Sequence, residues 1–579
     1  MLEKKMPAVG WLRRYRREDL GGDLSAGLIV AVMLIPQGMA YAMLAGLPPV
    51  VGLYASTIPL LIYALFGSSR QLAVGPVAIV SLLTLTGVSA LAEPGSGEFV
   101  ALAALLALMV GVIQFGLGLL RAGFVVNFLS HAVVSGFTSA AAIVIGLSQL
   151  KHLLGVELED THSVLVLLWN AAQKVGEVNP ITLTIGLASI ALLVLLRKIT
   201  PRFPAPLLVV ALSALAVYVF GLHEMGVSIV GDVPQGVPSF ALPAFSIDSV
   251  TMLLTIALTI SFVGYIESIA VARSIANREK YKVDANKELV GLGLANVAGS
   301  VFSAFPVTGG FSRSAVNYQA GARTQLASVI TAVLVILTLL FFTPLFYYLP
   351  NAVLAAIVMF AVYSLIDLRE PVRLFKIKKA DGWTLLITFA ATLFIGIEQG
   401  ILVGVALSLA LFIWRSAYPH TTEIGYLPEE DVFRNVNRYP ETQTFPNTLI
   451  ARVDRSLYFA NTAFWENWLN AATLNRPDLR YLILDFSAVN DVDAVALETL
   501  EDLIESLEER DVELHIAGMK GPVRDIVEKA GWMQKFGTNI SHLSVQHALK
   551  TLGMWQEAES TELHCTHSRS RERERPATR

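Results

Sequence analysis

Phe305-Pro306-Val307-Thr308-Gly309-Gly310-Phe311-Ser312-Arg313-Ser314 lies between two long apolar runs, which puts its backbone at membrane depth. Pro306 and the Gly309-Gly310 pair interrupt a continuous helix there, and hydrocarbon cannot satisfy the N–H groups this frees. Such backbone is tolerated only beside protein or a wet cavity. A helix restarting near Ser312 turns its free N–H groups and positive dipole end toward that cavity, with the Arg313 cation beside them. Together they make an anion site. The competing reading is a short aqueous loop between two ordinary spans, with Arg313 as a positive-inside anchor. A second interruption argues against it: Arg70-Gln71-Leu72-Ala73-Val74-Gly75-Pro76-Val77-Ala78 runs from a strand-like piece through Gly-Pro into a helix-like run. Paired interrupted segments in the two halves of a chain point to a transporter site built from inverted repeats.

The composition agrees. Of 579 residues, 54% are hydrophobic and only 16% charged, and the mean hydropathy is +0.58, far from a soluble profile. This is a polytopic membrane protein. A net charge of -4 gives no reason to expect nucleic acid as a partner. The single cysteine, Cys565, excludes a disulfide scaffold and a cysteine-rich metal site. Four arginines before residue 18 precede an apolar run without a small-residue cleavage site, so the first span reads as retained.

Fourteen apolar stretches fall between residues 24 and 414, those near 71–91, 286–303 and 307–322 being short or interrupted. Charge placement supports an even number. Loops after even-numbered spans carry Arg70, Arg121, Arg197, Lys198 and Arg202, then Arg278, Lys280, Lys282 and Lys287, then Arg369, Arg373 and Lys376. Loops after odd-numbered spans carry Glu93, Glu98, Glu157, Glu159, Asp160, Glu224 and Asp232, with Lys151 as a minor exception. Both termini are therefore expected in the cytoplasm. The division expected is a cytoplasmic segment over 1–23, a transport domain over 24–418, a linker over 419–439, a small α/β domain over 440–556 and a disordered tail over 557–579. Strand-like 449–453, 480–486 and 512–518 alternate with helix-like 494–510 and 522–530, the pattern of a largely buried sheet.

Two further polar groups lie mid-span: Gln37 in the first, and Glu267 in the first span of the second half. Such residues line a cavity, pair with a partner, or tie helices together. A buried carboxyl beside a cation responds to both protons and anions, so Glu267 is the candidate for taking up a proton when the anion arrives. Tyr41 reads either as packing against the solute or as helix core. No catalytic triad, nucleotide loop or His/Cys cluster is present in the sequence, and no cofactor and no enzymatic activity are expected; Thr308-Gly309-Gly310 lacks the Lys of a phosphate loop.

At Ile35-Pro36-Gln37-Gly38-Met39-Ala40-Tyr41-Ala42, Gly52-Leu53-Tyr54, Gly75-Pro76, Phe305-Pro306 and Ser312-Arg313-Ser314 the chain resembles the SulP anion transporters, the bacterial branch of solute carrier family 26. Its C-terminal part resembles a STAS domain. The resemblance implies an α-helical membrane protein of fourteen spans in seven-plus-seven inverted repeats, divided into core and gate, usually a homodimer in the bacterial inner membrane. It places the anion between half-helices of the third and tenth spans, here Gly75, Pro76, Val77 and Ala78 with Ser312, Arg313 and Ser314, while Gln37, Tyr41 and Glu267 surround it. The core then moves against the gate as an elevator.

Two departures matter. A sodium-coupled bicarbonate branch carries Asp where Glu267 stands and Thr where this chain has Val271, so losing a hydroxyl ligand favours a proton over sodium. Soluble STAS proteins carry a phosphorylatable Ser after a loop Asp; here Asp493 is followed by Ala494, which excludes that switch. The expectation is proton-coupled sulfate uptake, with bicarbonate or a dicarboxylate such as fumarate as alternative substrates. An uncoupled anion channel and a membrane sensor acting through the STAS part are the rival classes.

Overall fold

The computed structural model describes residues 7–124, 130–158, 164–199, 205–243 and 245–555. The expected tail over 557–579 and the loop charges Glu159, Asp160 and Arg202 lie outside them. Each of the fourteen apolar stretches becomes a helix, a broken helix or a strand followed by a helix. In the first half these are α1 (Arg17–Leu44), α2 and α3 (Pro49–Tyr54 and Ile58–Phe66), β1 with α4 (Val74–Gly75 and Ala78–Val88), α5 (Gly97–Leu119), α6 (His131–Ser148), α7 (Pro180–Ile199) and α8 (Ala205–Phe220). In the second half they are α9 (Ile247–Arg278), α10 (Ala285–Ser300), β2 with α11 (Thr308–Gly309 and Phe311–Gln319), α12 (Leu326–Phe341), α13 (Asn351–Tyr363), α14 (Lys379–Phe394) and α15 (Ile397–Ala417). A strand thus opens the third segment of each half, and the two strands pair antiparallel, Val74 with Gly309 and Gly75 with Thr308. That is the mark of an inverted repeat.

Lipid is as apolar as a leucine side chain, so helices in a membrane gain little from hydrophobic burial against one another and rely on close packing and polar ties. α5 and α10 pack closely against one another, and within that contact Asn296 Nδ2 donates to Gln114 Oε1 at 3.2 Å. Some helix starts carry a side-chain cap: Ser96 Oγ accepts from the Phe99 N–H at 3.1 Å, and Asp284 Oδ1 accepts from the Asn286 N–H at 3.0 Å. At α4 and α11 the cap positions fall to Val77 and Gly310, which make no side-chain cap bond.

The C-terminal unit is built on a five-stranded sheet, in spatial order β4 (Val432–Asn435), β3 (Thr421–Leu427), β5 (Thr448–Val453), β6 (Tyr481–Asp485) and β7 (Glu513–Ala517). β5, β6 and β7 run parallel, with Leu449 beside Leu482 and Leu482 beside Leu514. The stretch over 421–435, expected as linker, instead supplies β3 and β4; residues facing alternately in and out along β3 lay Ile424 against the sheet's own core with Ile450 and Ile483. Trp465 and Trp532 are wholly buried among the leucines of the opposite face. Asp493 starts the helix α16 (Ala494–Glu508): its Oδ1 accepts from the Ala496 N–H at 2.8 Å and its Oδ2 from the Phe459 N–H at 2.9 Å.

Candidate anion site

Antiparallel pairing decides the geometry of the interrupted segments. Each strand runs directly into a helix, so α4 and α11 leave the pair in opposite directions and their amino ends face one another across it. The first turn of each helix carries N–H groups with no side-chain cap, and the two dipole ends add. Two helix ends of this kind, pointed at one spot, form a ready anion receptor.

Arg313 sits in the first turn of α11 and is 1% exposed. Its Nη1 donates to the Pro76 carbonyl oxygen, across the strand pair and just ahead of α4. The guanidinium lies between the two glycines of the motif: a Cβ at Gly310 would fall 2.8 Å from Nη2, and one at Gly75 3.4 Å from it. Nε and Nη2 have no hydrogen-bond partner. A buried cation with two unused donors is expensive unless something acidic completes it. Tyr41 and Glu267 lie within electrostatic reach of the guanidinium, and Glu267 Oε2 is likewise buried without a partner.

The remaining predicted residues divide. Gln37, 6% exposed, has an unpartnered Oε1, and with the exposed Ser312 it lines a cavity of about 700 Å³ between α1 and α11 on one wall and α7, α8 and α13 on the other. Tyr41 is 5% exposed on the same helix as Gln37. Val77 and Ala78 are buried at the start of α4. Ser314 faces the scaffold: its Oγ accepts from the Ala73 N–H at 2.9 Å. Arg313 and Tyr41 are not among the residues lining the cavity. The structure therefore separates an enclosed cationic spot from the chamber holding Gln37 and Ser312.

What sequence reasoning missed is the frame that holds the strands. Asn296 grips the residue that leads into β2 through both of its backbone polar groups, its Oδ1 accepting from the Val307 N–H at 2.8 Å and its Nδ2 donating to the Val307 carbonyl at 3.0 Å. Ser268, one residue after Glu267, accepts from the Gly309 N–H at 2.8 Å. The fully buried Glu288 holds the approach to β1, accepting from the Ser68 and Ser69 N–H groups at 2.7 and 2.9 Å and from the Tyr63 hydroxyl at 2.6 Å. Gln325 Nε2 donates to the Ser69 carbonyl at 2.6 Å, and Asn317 Nδ2 to that of Gln71 at 2.9 Å. Irregular backbone at membrane depth survives because side chains from neighbouring helices satisfy it. The one available signal was a polar residue inside an apolar run, as at Asn296.

Facing half-helix ends and a buried cation inside a helical membrane body define a transporter of the interrupted-span class. The chain belongs to the Sulfate permease family, whose model matches residues 20–388; the STAS domain model matches residues 439–548. It is 39% identical over 568 residues to the chloroplastic Sulfate transporter 4.1 of Arabidopsis thaliana, covering 95% of this chain and 82% of that one. It is 36% identical to High affinity sulfate transporter 2 of Stylosanthes hamata, covering 95% and 87%. The structure of the murine Solute Carrier 26 family member A9 anion transporter in the inward-facing state superposes with a TM-score of 0.90 at 26% identity, covering 95% of this chain and 94% of that one. These likenesses bear out the fourteen-span fold with its STAS domain and support anion transport by a multi-pass membrane protein.

Proposed function

We propose that this protein takes up sulfate with a proton, by moving the α4 and α11 ends and the helices around them as a body across the bilayer. The observation that carries the reading is the Arg313 guanidinium, buried between two facing helix ends with two donors unused. A sulfate dianion supplies both the acceptors and the charge that this spot lacks, and the sulfate transporters among its relatives favour that anion over bicarbonate or fumarate. On this reading Gly75, Pro76, Val77, Ala78, Ser312, Arg313 and Ser314 form the receptor, with Ser314 holding its frame, and Gln37 and Tyr41 close it. Glu267 is the proton carrier, because a second charge within reach of Arg313 couples anion occupancy to its own ionisation. Val271 follows one turn later and offers no oxygen to sodium. The alternating loop charges support cytoplasmic termini, and the motif resemblance supports a homodimer in a bacterial inner membrane with domain boundaries at 24, 419 and 557.

The test is sulfate uptake into proteoliposomes with competition by bicarbonate, fumarate and chloride, on the wild type and on Arg313→Ala and Arg313→Lys. Removing one member of a buried charged contact costs about 2–5 kcal/mol, so Arg313→Ala is expected to weaken sulfate binding roughly 30-fold or more. Sulfate accumulated against its gradient under an inward proton gradient supports coupling, and purely downhill flux identifies a channel. Unchanged affinity in Arg313→Ala overturns the site.

A further inference from the structure

The chamber lined by Gln37 and Ser312 has a facing wall that the motifs did not assign. Its apolar lining, which includes Pro206, Ile357 and Phe360, is broken by one full charge: Arg197, in the last turn of α7, is the single ionisable side chain among the described lining residues. Its guanidinium carbon lies 5.4 Å from the centroid of the Phe360 ring, and Phe360 itself lines the chamber. The ring holds the cation against the wall. No carboxylate pairs with it among the described residues, and unlike Arg313 it is exposed. A cation in a cleft with low-dielectric walls focuses its field into the cleft and raises the local concentration of anions. The bland account is that Arg197, like its neighbour Lys198, complements the carboxyl end of α7 and the membrane surface. That account gives no reason for one cation of the pair to line the chamber and the other not to.

We propose that Arg197 is a cytoplasmic-side docking site for the transported oxyanion, a guanidinium fork that holds sulfate while it is largely hydrated, receiving it from the buried receptor by way of Gln37 and Ser312 during uptake and passing it back toward them in reverse flux. The inference rests on the chamber being the path of the transported anion. Its test compares initial rates of radiolabelled sulfate flux in proteoliposomes of the full-length wild type, Arg197→Gln, Arg197→Lys and Lys198→Gln, in both directions and over a range of inert-salt concentrations. Focusing by a charged cleft raises association by about 10- to 1000-fold in all, and Arg197 is the one full charge among the described lining residues, so its loss is expected to forfeit the lower end of that range. Arg197→Gln is therefore expected to raise the sulfate KM about tenfold in the direction that loads this chamber, to lower the maximal rate less than twofold, and to flatten the salt dependence. Arg197→Lys should restore most of the effect, and Lys198→Gln should shift KM less than twofold. An unchanged KM in Arg197→Gln, or an equal shift in Lys198→Gln, overturns the docking site while leaving the Arg313 receptor standing. If the wild type carries bicarbonate and not sulfate, the same variants run with bicarbonate separate the choice of substrate from the role of Arg197.

Discussion

Asn296→Ala removes the residue that grips the lead-in to β2, and its cost follows from three atoms. The Val307 N–H loses a partner at 2.8 Å, the Val307 carbonyl one at 3.0 Å, and Gln114 Oε1 one at 3.2 Å. Val307 and Asn296 are each 1% exposed, so water does not replace them freely. An orphaned buried polar group costs about 1–3 kcal/mol, whereas interhelical bonds measured in membranes average about 0.6 kcal/mol because the unfolded chain also finds partners in lipid. The larger scale governs Val307, whose peptide is held in non-helical backbone, and the smaller one governs Gln114. A total near 3 kcal/mol lowers the melting temperature by roughly 6–12 °C at the per-kcal shift of larger domains. Tryptophan fluorescence of purified protein in detergent measures it, and sulfate titration on the same samples is expected to show at least a tenfold weaker Kd, because β2 carries the amino end of α11. Gln114→Leu is the control: it should cost about 1 kcal/mol and leave sulfate binding intact. A melting temperature within 2 °C of wild type (about 1 kcal/mol on the same scale) together with an unchanged Kd refutes the reasoning.

Other perturbations test separate parts. Glu267→Gln should abolish the dependence of sulfate uptake on an inward proton gradient while keeping downhill exchange; full gradient dependence removes Glu267 from the coupling role. Gly52→Ala should impair folding, because its new Cβ would collide with the Gly38 backbone carbonyl where α1 and α2 cross, and normal yield with an unshifted melting curve counts against that close crossing. In the C-terminal unit His515 and His542 stand 3.1 Å apart and His547 continues the chain at 3.3 Å. Burial lowers the pKa of both His515 and His542, so the unfolded chain binds more protons and stability rises with pH. The contribution is complete above about pH 6.5 and declines as pH falls from there toward the lowered folded values. Hydrogen exchange of the β7 amides in the full chain should therefore quicken between pH 7.5 and 5.5 after correction for intrinsic rates (roughly one unit either side of the free imidazole value), and His515→Phe should blunt the change. A flat corrected profile in the wild type contradicts it.

Hydropathy reveals spans because each must be apolar over its whole length, and Pro306, Gly309, Gly310 and Gly75-Pro76 reveal the interruptions because helix-breaking is a local property. The β1–β2 pair is a different kind of fact. It consists of two residues from each strand, separated by more than two hundred positions, and a two-residue strand has no periodicity to read. β3 escaped for a related reason: Thr421-Thr422-Glu423-Ile424-Gly425-Tyr426-Leu427 holds too few apolar residues to stand out from a linker, and its strand character comes from pairing with β5. Asn296, Ser268 and Glu288 were visible as polar residues in apolar surroundings, but nothing in the sequence says which backbone group each one meets.

The division of labour among the two arginines follows from their surroundings. Arg313 is enclosed, tied to Pro76 and flanked by glycines that let two helix ends close around it, so on the proposed reading an anion reaching it must shed water and is held by directed donors. Arg197 stands against an aromatic ring on an exposed wall, where solvent screens its attraction and an anion keeps its hydration. A transporter needs both properties and cannot have them at one residue, since tight desolvated binding slows release and a screened charge discriminates poorly. On the proposed path, separating them lets the cytoplasmic-side cation set how fast the anion loads from that side and the buried one set selectivity, which is why KM under low salt and affinity at saturation should respond to different substitutions.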